Sequence, residues 1–182
     1  MATLPPQAPG LRLFLALWPD AAARHALAEW MARWQWPERA RVVPVERLHL
    51  TLHFIGAVPA GRLPALRSGL AVPAEPVELA FGRVARWPRG LVVLEPTGVD
   101  SALQALHERL AQALHALDLP VQPQAYKPHV TLARQAAGAI APPDEPQLRW
   151  RSDAYALVQS QQGYRDVARF AALQRQSRVP PS

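Results

Sequence analysis

One short pattern occurs twice in the chain and limits what the chain can fold into. The first copy covers residues His49–Leu52 and the second covers His129–Leu132, and each reads His-x-Thr-Leu with an apolar residue at x. Residues two apart on a β-strand point to the same face of a sheet. Each histidine therefore shares a face with its threonine, while the apolar residues share the other. The pattern predicts two strands that bury an apolar face and present a His–Thr pair outward or into a cleft.

Two such pairs facing each other would offer two imidazoles and two hydroxyls to one small anionic group. An imidazole titrates near pH 6.5, so a neutral one can accept a proton from an attacking oxygen while a protonated one donates to a leaving oxygen. Threonine hydroxyls suit the non-bridging oxygens of a phosphate. The pattern thus favours phosphodiester chemistry, and a strained cyclic phosphate in particular.

Other readings of the histidines are possible. A single His-x-Thr in a strand is usually structural, but a duplicated one favours function. Zinc would need three or four ligands, and Glu46 is the only acidic residue close to either motif, so we predict no metal site. His25, His107 and His115 fall on predicted amphipathic helices, where we expect surface or boundary positions.

Composition adds weaker constraints. The 182 residues carry a formal charge of +6 and suit an anionic partner. Lys127 is the only lysine, however, and the arginines are scattered, so the charge reflects composition as much as a binding patch. The absence of cysteine excludes disulfides, a cysteine nucleophile and thiolate metal sites. The apolar stretch at residues 11–18 is too short to cross a bilayer, so we expect a soluble cytoplasmic protein.

Periodicity predicts an α+β order of elements in one domain, residues 11–182, after a flexible tail at residues 1–10. Each motif strand follows a helix, which suggests two similar halves. Turn residues at 87–90 and 161–163 predict two hairpins. The predicted helices are residues 21–34, 59–70 and 102–117; the predicted strands are 11–17, the motif strands ending at 56 and 134, 77–84, 91–94, 149–159 and 164–173, with a short strand or loop at 42–45.

At these residues the chain resembles the two-histidine (2H) phosphoesterase superfamily, and within it the bacterial and archaeal RNA 2′,3′-cyclic phosphodiesterases, long called 2′-5′ RNA ligases. The resemblance extends from residue 11 to residue 173. It rests on both motifs, the Phe54-Ile55-Gly56 that follows the first, residues 12–16 with Pro19, residues 127–134, and Ser160, Tyr164, Arg169 and Phe170 near the end. One departure is Arg47-Leu48 before the first motif, where relatives often carry Asn.

The resemblance implies a bilobal α+β fold in which two antiparallel sheets flank a central cleft, with helices outside and pseudo-twofold halves. It implies hydrolysis of RNA 2′,3′-cyclic phosphate ends to a 2′-phosphate without a cofactor. By motif position His49 would donate a proton to the leaving 3′ oxygen and His129 would accept one from water. Thr51, Thr131 and Arg134 would bind the phosphate. The partners would be RNA or oligonucleotide ends and no membrane, and we expect a monomer.

Some points remain open at this level. The same residues would serve the reverse reaction, a 2′-5′ ligation, and a non-catalytic RNA- or nucleotide-binding module or an enzyme of small nucleotides are further alternatives. In an ideal strand His53 would share the face of His49 and line the cleft rim. Arg134 would point away from His129 unless the strand ends or bulges before it. Phe14 or Tyr126 could stack on a base, although such aromatic residues more often belong to the core.

Overall fold

The computed structural model describes residues 10–98, 100–161 and 163–173. The predicted flexible tail thus lies outside the described residues, apart from Gly10. Within these described residues the fold is α+β, with an antiparallel sheet and three α-helices. The strands are β1 (Leu11–Leu17), β2 (Arg41–Val42), β3 (Leu50–Val58), β4 (Val77–Trp87), β5 (Leu91–Pro96), β6 (Val130–Arg134), β7 (Leu148–Ser152), β8 (Ala154–Gln159) and β9 (Arg165–Ala171); the helices are α1 (Ala21–Ala32), α2 (Leu63–Gly69) and α3 (Ser101–Ala116).

Aspartate side chains cap the N-termini of the two longer helices. Asp20 accepts a hydrogen bond from the Ala23 amide at 2.8 Å, and Asp100 accepts one from the Ala102 amide at 2.6 Å. Helix α1 ends at Ala32 rather than at Trp34, although Trp34 stays in the core. A single 3₁₀ turn at Ala60–Arg62 precedes α2, so the predicted helix at 59–70 begins irregularly.

The strands form one sheet rather than the two separate sheets that the resemblance implies. Their order is β7-β4-β5-β6-β3-β1-β8-β9, with β2 paired to β6, and all pairs are antiparallel. The two halves of this sheet, β7-β4-β5-β6 and β3-β1-β8-β9, meet at the pair Leu50 and Val130. The motif strands are therefore neighbours, and the sheet is narrowest where they meet.

The predicted single strand at residues 149–159 is wrong, because the chain changes partner at Asp153. Strand β7 pairs with β4 at one edge of the sheet, whereas β8 pairs with β1 and β9 in the other half. Burial alternates along β7, whereas residues 155–158 of β8 are buried without interruption. The predicted pairing of the last two strands is confirmed by β8 and β9.

The main core lies on one face of the sheet, under the helices. It contains Leu50, Leu52, Val130 and Leu132 together with buried side chains of all three helices. A smaller apolar cluster on the opposite face is formed by Phe14, Ala16, Trp18, Ala156 and Val158. The motif strands thus bury their apolar residues as predicted and leave the His–Thr face free of the main core.

None of the helices in the described part of the chain is both long enough and apolar enough to cross a membrane.

Candidate active site

The two motifs meet at the junction between the halves of the sheet. Leu50 pairs with Val130 in antiparallel register, and both are fully buried. In that register the flanking residues also lie opposite each other, so His49 comes beside Thr131 and Thr51 beside His129. The two histidines and two threonines are only partly buried. The fold therefore brings all four predicted site residues together on one face.

Both imidazoles are held in the same way. The Nδ1 atom of His49 lies 2.6 Å from the carbonyl oxygen of Arg47, and Nδ1 of His129 lies 2.7 Å from that of Lys127. A carbonyl oxygen can only accept, so Nδ1 carries the proton in each ring. In the neutral form Nε2 is then the acceptor. Each histidine thus presents a basic nitrogen whose direction is set by the carbonyl two residues earlier in the chain.

The surroundings of both rings favour the neutral state. Burial lowers the pKa of His49 and of His129, while the hydrogen bonds to Arg47 and Lys127 oppose this. Positive charge on Arg134 lowers both pKa values further, and His129 does the same to His49. The negative charge of Glu95 raises the pKa of His129 alone. An anion bound between the rings would raise both pKa values and so oppose the effect of the positive charges.

Three aromatic rings pack against the imidazole of His49. Its ring centroid lies 4.9 Å from that of Phe14, 5.4 Å from Trp18 and 5.3 Å from Tyr164. Phe14 is only 3% exposed, so it packs beneath the imidazole and cannot also offer a face to a base. Of the two aromatic residues considered from sequence, Phe14 therefore belongs to the core.

His129 has a different support, which the sequence did not predict. The Trp87 ring lies 4.4 Å from the imidazole, and its Nε1 donates a 3.0 Å hydrogen bond to Glu95. Glu95 also forms an ion pair with Arg83. Trp87 and Glu95 lie on paired strands β4 and β5, far from His129 in sequence. Their hairpin was predicted, but no local motif connects it to the second His-x-Thr.

A β-bulge brings Arg134 to the site face. Thr131 lies opposite Val93, whereas Ala133 lies opposite the adjacent Val92, so β6 has one extra residue at this step. Leu132 and Ala133 are consequently both buried, and Arg134 is exposed. In an ideal strand Arg134 would point away from His129, and this bulge turns it to the same face. Its electrostatic effect on both histidines agrees with a place beside them.

The same bulge occurs in the first motif strand. Thr51 lies opposite Ala16 and His53 opposite the adjacent Leu15. His53 is consequently only 5% exposed, while Phe54 is 53% exposed. The prediction that His53 shares the face of His49 is wrong, because the bulge reverses its direction, although His53 does line the cavity beside the site. Its Nε2 instead donates a 2.9 Å hydrogen bond to the carbonyl oxygen of His107.

A cavity of about 360 Å³ opens next to His129, between β3 and the segment that leads into β6. Tyr126 crosses this space, and its hydroxyl donates a 3.1 Å hydrogen bond to the Thr51 carbonyl oxygen. The Tyr126 ring stacks on His107, which stacks in turn on His53. The cavity is lined by residues 51–54, Trp87, His107, Gln122, residues 124–127 and His129.

Within residues 10–98, 100–161 and 163–173, no three His, Asp or Glu side chains come close enough to hold a metal ion. The two motifs contribute two imidazoles and two hydroxyls to the site. Of the histidines predicted at surface or boundary positions, His25 is exposed beside Glu29 at 3.4 Å, and His107 is half-buried and part of the ring stack.

The family model described as the 2′-5′ RNA ligase superfamily matches residues 18–163. An RNA 2′,3′-cyclic phosphodiesterase of Thermus thermophilus is 30% identical over 163 residues, which is 83% of this chain and 82% of that protein. A protein of the same name from Escherichia coli is 30% identical over 146 residues, or 76% of this chain and 80% of the relative.

Solved structures give the same result for the fold. The E. coli LigT structure in its apo form superposes with a TM-score of 0.80 and 27% sequence identity, covering 92% of this chain and 100% of LigT. A crystal structure described as a phosphoesterase has a TM-score of 0.82 and 26% identity, covering 91% of this chain and 99% of that chain.

Proposed function

Because the chain belongs to the 2′-5′ RNA ligase superfamily, we propose that it hydrolyses RNA 2′,3′-cyclic phosphate ends to 2′-phosphates without a metal. The observation that carries this proposal is the antiparallel register at Leu50 and Val130, which sets each motif histidine beside the other motif's threonine. The names of the curated relatives, RNA 2′,3′-cyclic phosphodiesterase, support the substrate class.

The reaction needs one proton taken and one proton given. His129 accepts a proton at Nε2 from water as the water oxygen attacks phosphorus. The bond from phosphorus to the 3′ oxygen breaks, and His49 donates its proton to that oxygen. The phosphate remains on the 2′ position. Thr51 and Thr131 hydrogen-bond the non-bridging oxygens, and Arg134 stabilises their charge.

The electrostatic surroundings suit these assignments. His129 becomes positively charged when it takes the proton, and the nearby charge of Glu95 stabilises that form. His49 must start protonated, although burial lowers its pKa. The phosphate anion supplies the compensating charge when it binds between the rings. Phosphate binding thus favours the protonated form of His49, the acid, and Glu95 favours the protonated form that His129, the base, acquires in the reaction.

The two halves of the sheet act in this proposal as two lobes. Each contributes one histidine, one threonine and one strand with a bulge. The cyclic phosphate sits where they meet, at Leu50 and Val130. We further propose that the enzyme works as a cytoplasmic monomer, since both motifs come from one chain.

A panel of nucleoside 2′,3′-cyclic phosphates and short oligonucleotides with cyclic ends tests the proposal. Wild-type protein should turn them over, and chromatography or ³¹P NMR should identify a 2′-phosphate. His49→Ala and His129→Ala should each lower turnover at least about a hundredfold, because each loses a different proton transfer. His25→Ala, on an exposed helix face, is the matched control.

Two results would contradict these assignments. A 3′-phosphate product would show that His49 is not the acid at the 3′ oxygen. A near-wild-type rate in either motif variant would remove that histidine from the acid–base pair.

A further inference from the structure

Two arginines lie directly opposite each other at the edge of the candidate active site. Arg41 of β2 pairs with Arg134 of β6 in antiparallel register. Directly opposite residues of an antiparallel pair extend to the same face of the sheet, with Cβ atoms about 4.5–5.5 Å apart. Since the bulge in β6 turns Arg134 to the site face, Arg41 lies on that face as well.

The protein does not neutralise this pair of like charges. In the part of the chain that the structure describes, the arginine side chains in ion pairs are those of Arg33, Arg83 and Arg151, and neither Arg41 nor Arg134 forms one. Both side chains are exposed. Like charges directly opposite each other on neighbouring strands destabilise a sheet. An anion bound at the two guanidinium groups would offset this repulsion.

The two arginines differ in their position relative to the reacting phosphate. Arg134 lowers the pKa of both His49 and His129, as expected of a group beside that phosphate. Arg41 belongs to β2, which pairs with β6 beyond the start of β3. Its partner position lies three residues after Thr131 along β6, a distance of roughly 10 Å. Arg41 is therefore placed to contact an anion next to the reacting phosphate rather than that phosphate itself.

We propose that Arg41 binds the phosphate that joins the terminal nucleotide to the preceding one, so that the preferred substrate is an oligonucleotide rather than a mononucleotide. The inference rests on the proposed function, which places the cyclic phosphate between the two His–Thr pairs and beside Arg134. In an RNA strand the next anion after the cyclic end is this internucleotide phosphate. A guanidinium group suits it, because it is always charged and donates several hydrogen bonds in one plane. The contact is to the backbone and is therefore independent of base sequence.

The test uses two dinucleotides that differ only in the charge of this phosphate. One is ApA with a 2′,3′-cyclic phosphate end, and the other has a neutral methylphosphonate in place of the internucleotide phosphate. Arg41→Ala should lower kcat/KM for the charged dinucleotide roughly three- to tenfold, mainly through KM, because a charged contact is lost, and should change kcat/KM for the neutral one by less than about twofold. Arg41→Lys, which keeps the charge without the planar fork, should restore part of the loss.

Salt dependence gives a second readout. Calorimetry measures the affinity for the product, ApA with a terminal 2′-phosphate, at several salt concentrations. In Arg41→Ala the slope of log affinity against log salt should be less steep than in wild-type protein by about 0.7, the value for one contact to a single strand. Arg67→Ala is the matched control, because Arg67 is an exposed arginine on α2, which packs on the opposite face of the sheet. Circular dichroism should show that all variants are folded.

The outcomes separate this inference from the proposed function. If wild-type protein turns over no cyclic-phosphate substrate, the proposed function fails, and the salt dependence of binding alone decides whether Arg41 contacts a second phosphate. If turnover occurs but Arg41→Ala affects both dinucleotides equally or neither, the second phosphate site is wrong. Equal kcat/KM of the wild-type protein for the two dinucleotides, or an unchanged salt slope in Arg41→Ala, would also overturn it.

Discussion

The ring of His107 lies between those of His53 and Tyr126, at centroid distances of 4.0 and 3.9 Å. Burial and the neighbouring His53 together lower the pKa of His107 to about 4, although Glu108 acts in the opposite direction. In the unfolded chain a histidine titrates near pH 6.5. Between these two values the unfolded state binds a proton that the folded state does not. The free energy of unfolding should thus decrease as the pH falls from about 6.5 toward 4.

Replacement of His107 by Phe keeps a ring in the stack and removes this titration. The wild-type protein should lose on the order of 1–3 kcal/mol of stability through His107 over that window, and the variant should lose correspondingly less. Urea unfolding at pH 7 and at pH 5 measures the difference. His25→Phe, on an exposed helix face, should behave as wild type. An equal loss in His107→Phe and wild type would refute the assignment.

Side chains on the motif strands were the most predictable residues. The period of a strand decides which residues share a face, so the positions of His49, Thr51, His129 and Thr131 could be predicted from spacing alone. Their assigned functions stay predictions. Phe54 was not predicted, since its direction depends on a bulge that spacing does not reveal. The same bulge explains why the prediction for His53 was wrong.

At the scale of elements, the hairpin of β4 and β5 supports the second motif through Trp87 and Glu95. Glu95→Gln keeps an acceptor for Trp87 Nε1 and removes the negative charge. Arg134 on β6 also affects His129, and its positive charge opposes protonation of the imidazole. Without Glu95 the pKa of His129 should fall further.

The acid limb of the kcat/KM profile reports the pKa of the base in the free enzyme. In Glu95→Gln this limb should move to lower pH by roughly half a unit or more, while kcat falls several-fold because the imidazolium is less stabilised. Glu38→Gln, in an exposed loop, is the control. If kcat drops and the acid limb stays in place, Glu95 has only a structural effect on Trp87.

The order of elements was largely predictable, while their partners were not. Apolar periodicity located α1, α3 and most strands, because this signal is local. The change of partner at Asp153 and the single junction at Leu50 depend on contacts between residues far apart in the chain. Bulges arise from the same long-range pairing, since an extra residue is defined only against a neighbouring strand.

At the scale of the molecule, the continuous sheet explains how a duplicated motif becomes one site. The resemblance implied two sheets with a cleft between them, but the motif strands are bonded neighbours. The two motifs meet at the pair Leu50 and Val130, so each half of the sheet brings one imidazole to the junction. The differences at Phe54, Arg134 and Glu95 give the two imidazoles different surroundings.

Independence from metal ions should follow from this pairing. Two imidazoles can supply both proton transfers, and two threonines with Arg134 can neutralise the phosphate, so no step requires a Lewis acid. Activity on adenosine 2′,3′-cyclic phosphate should remain within about twofold of its initial value after dialysis against EDTA, since proton transfer from water to His129 and from His49 to the 3′ oxygen is insensitive to chelation. Added Mg²⁺, Mn²⁺ or Zn²⁺ should not increase the rate. A metal-dependent phosphodiesterase treated in parallel verifies that chelation is complete. Loss of activity in EDTA, with recovery on Zn²⁺ or Mn²⁺, would instead require a metal beside the two histidines.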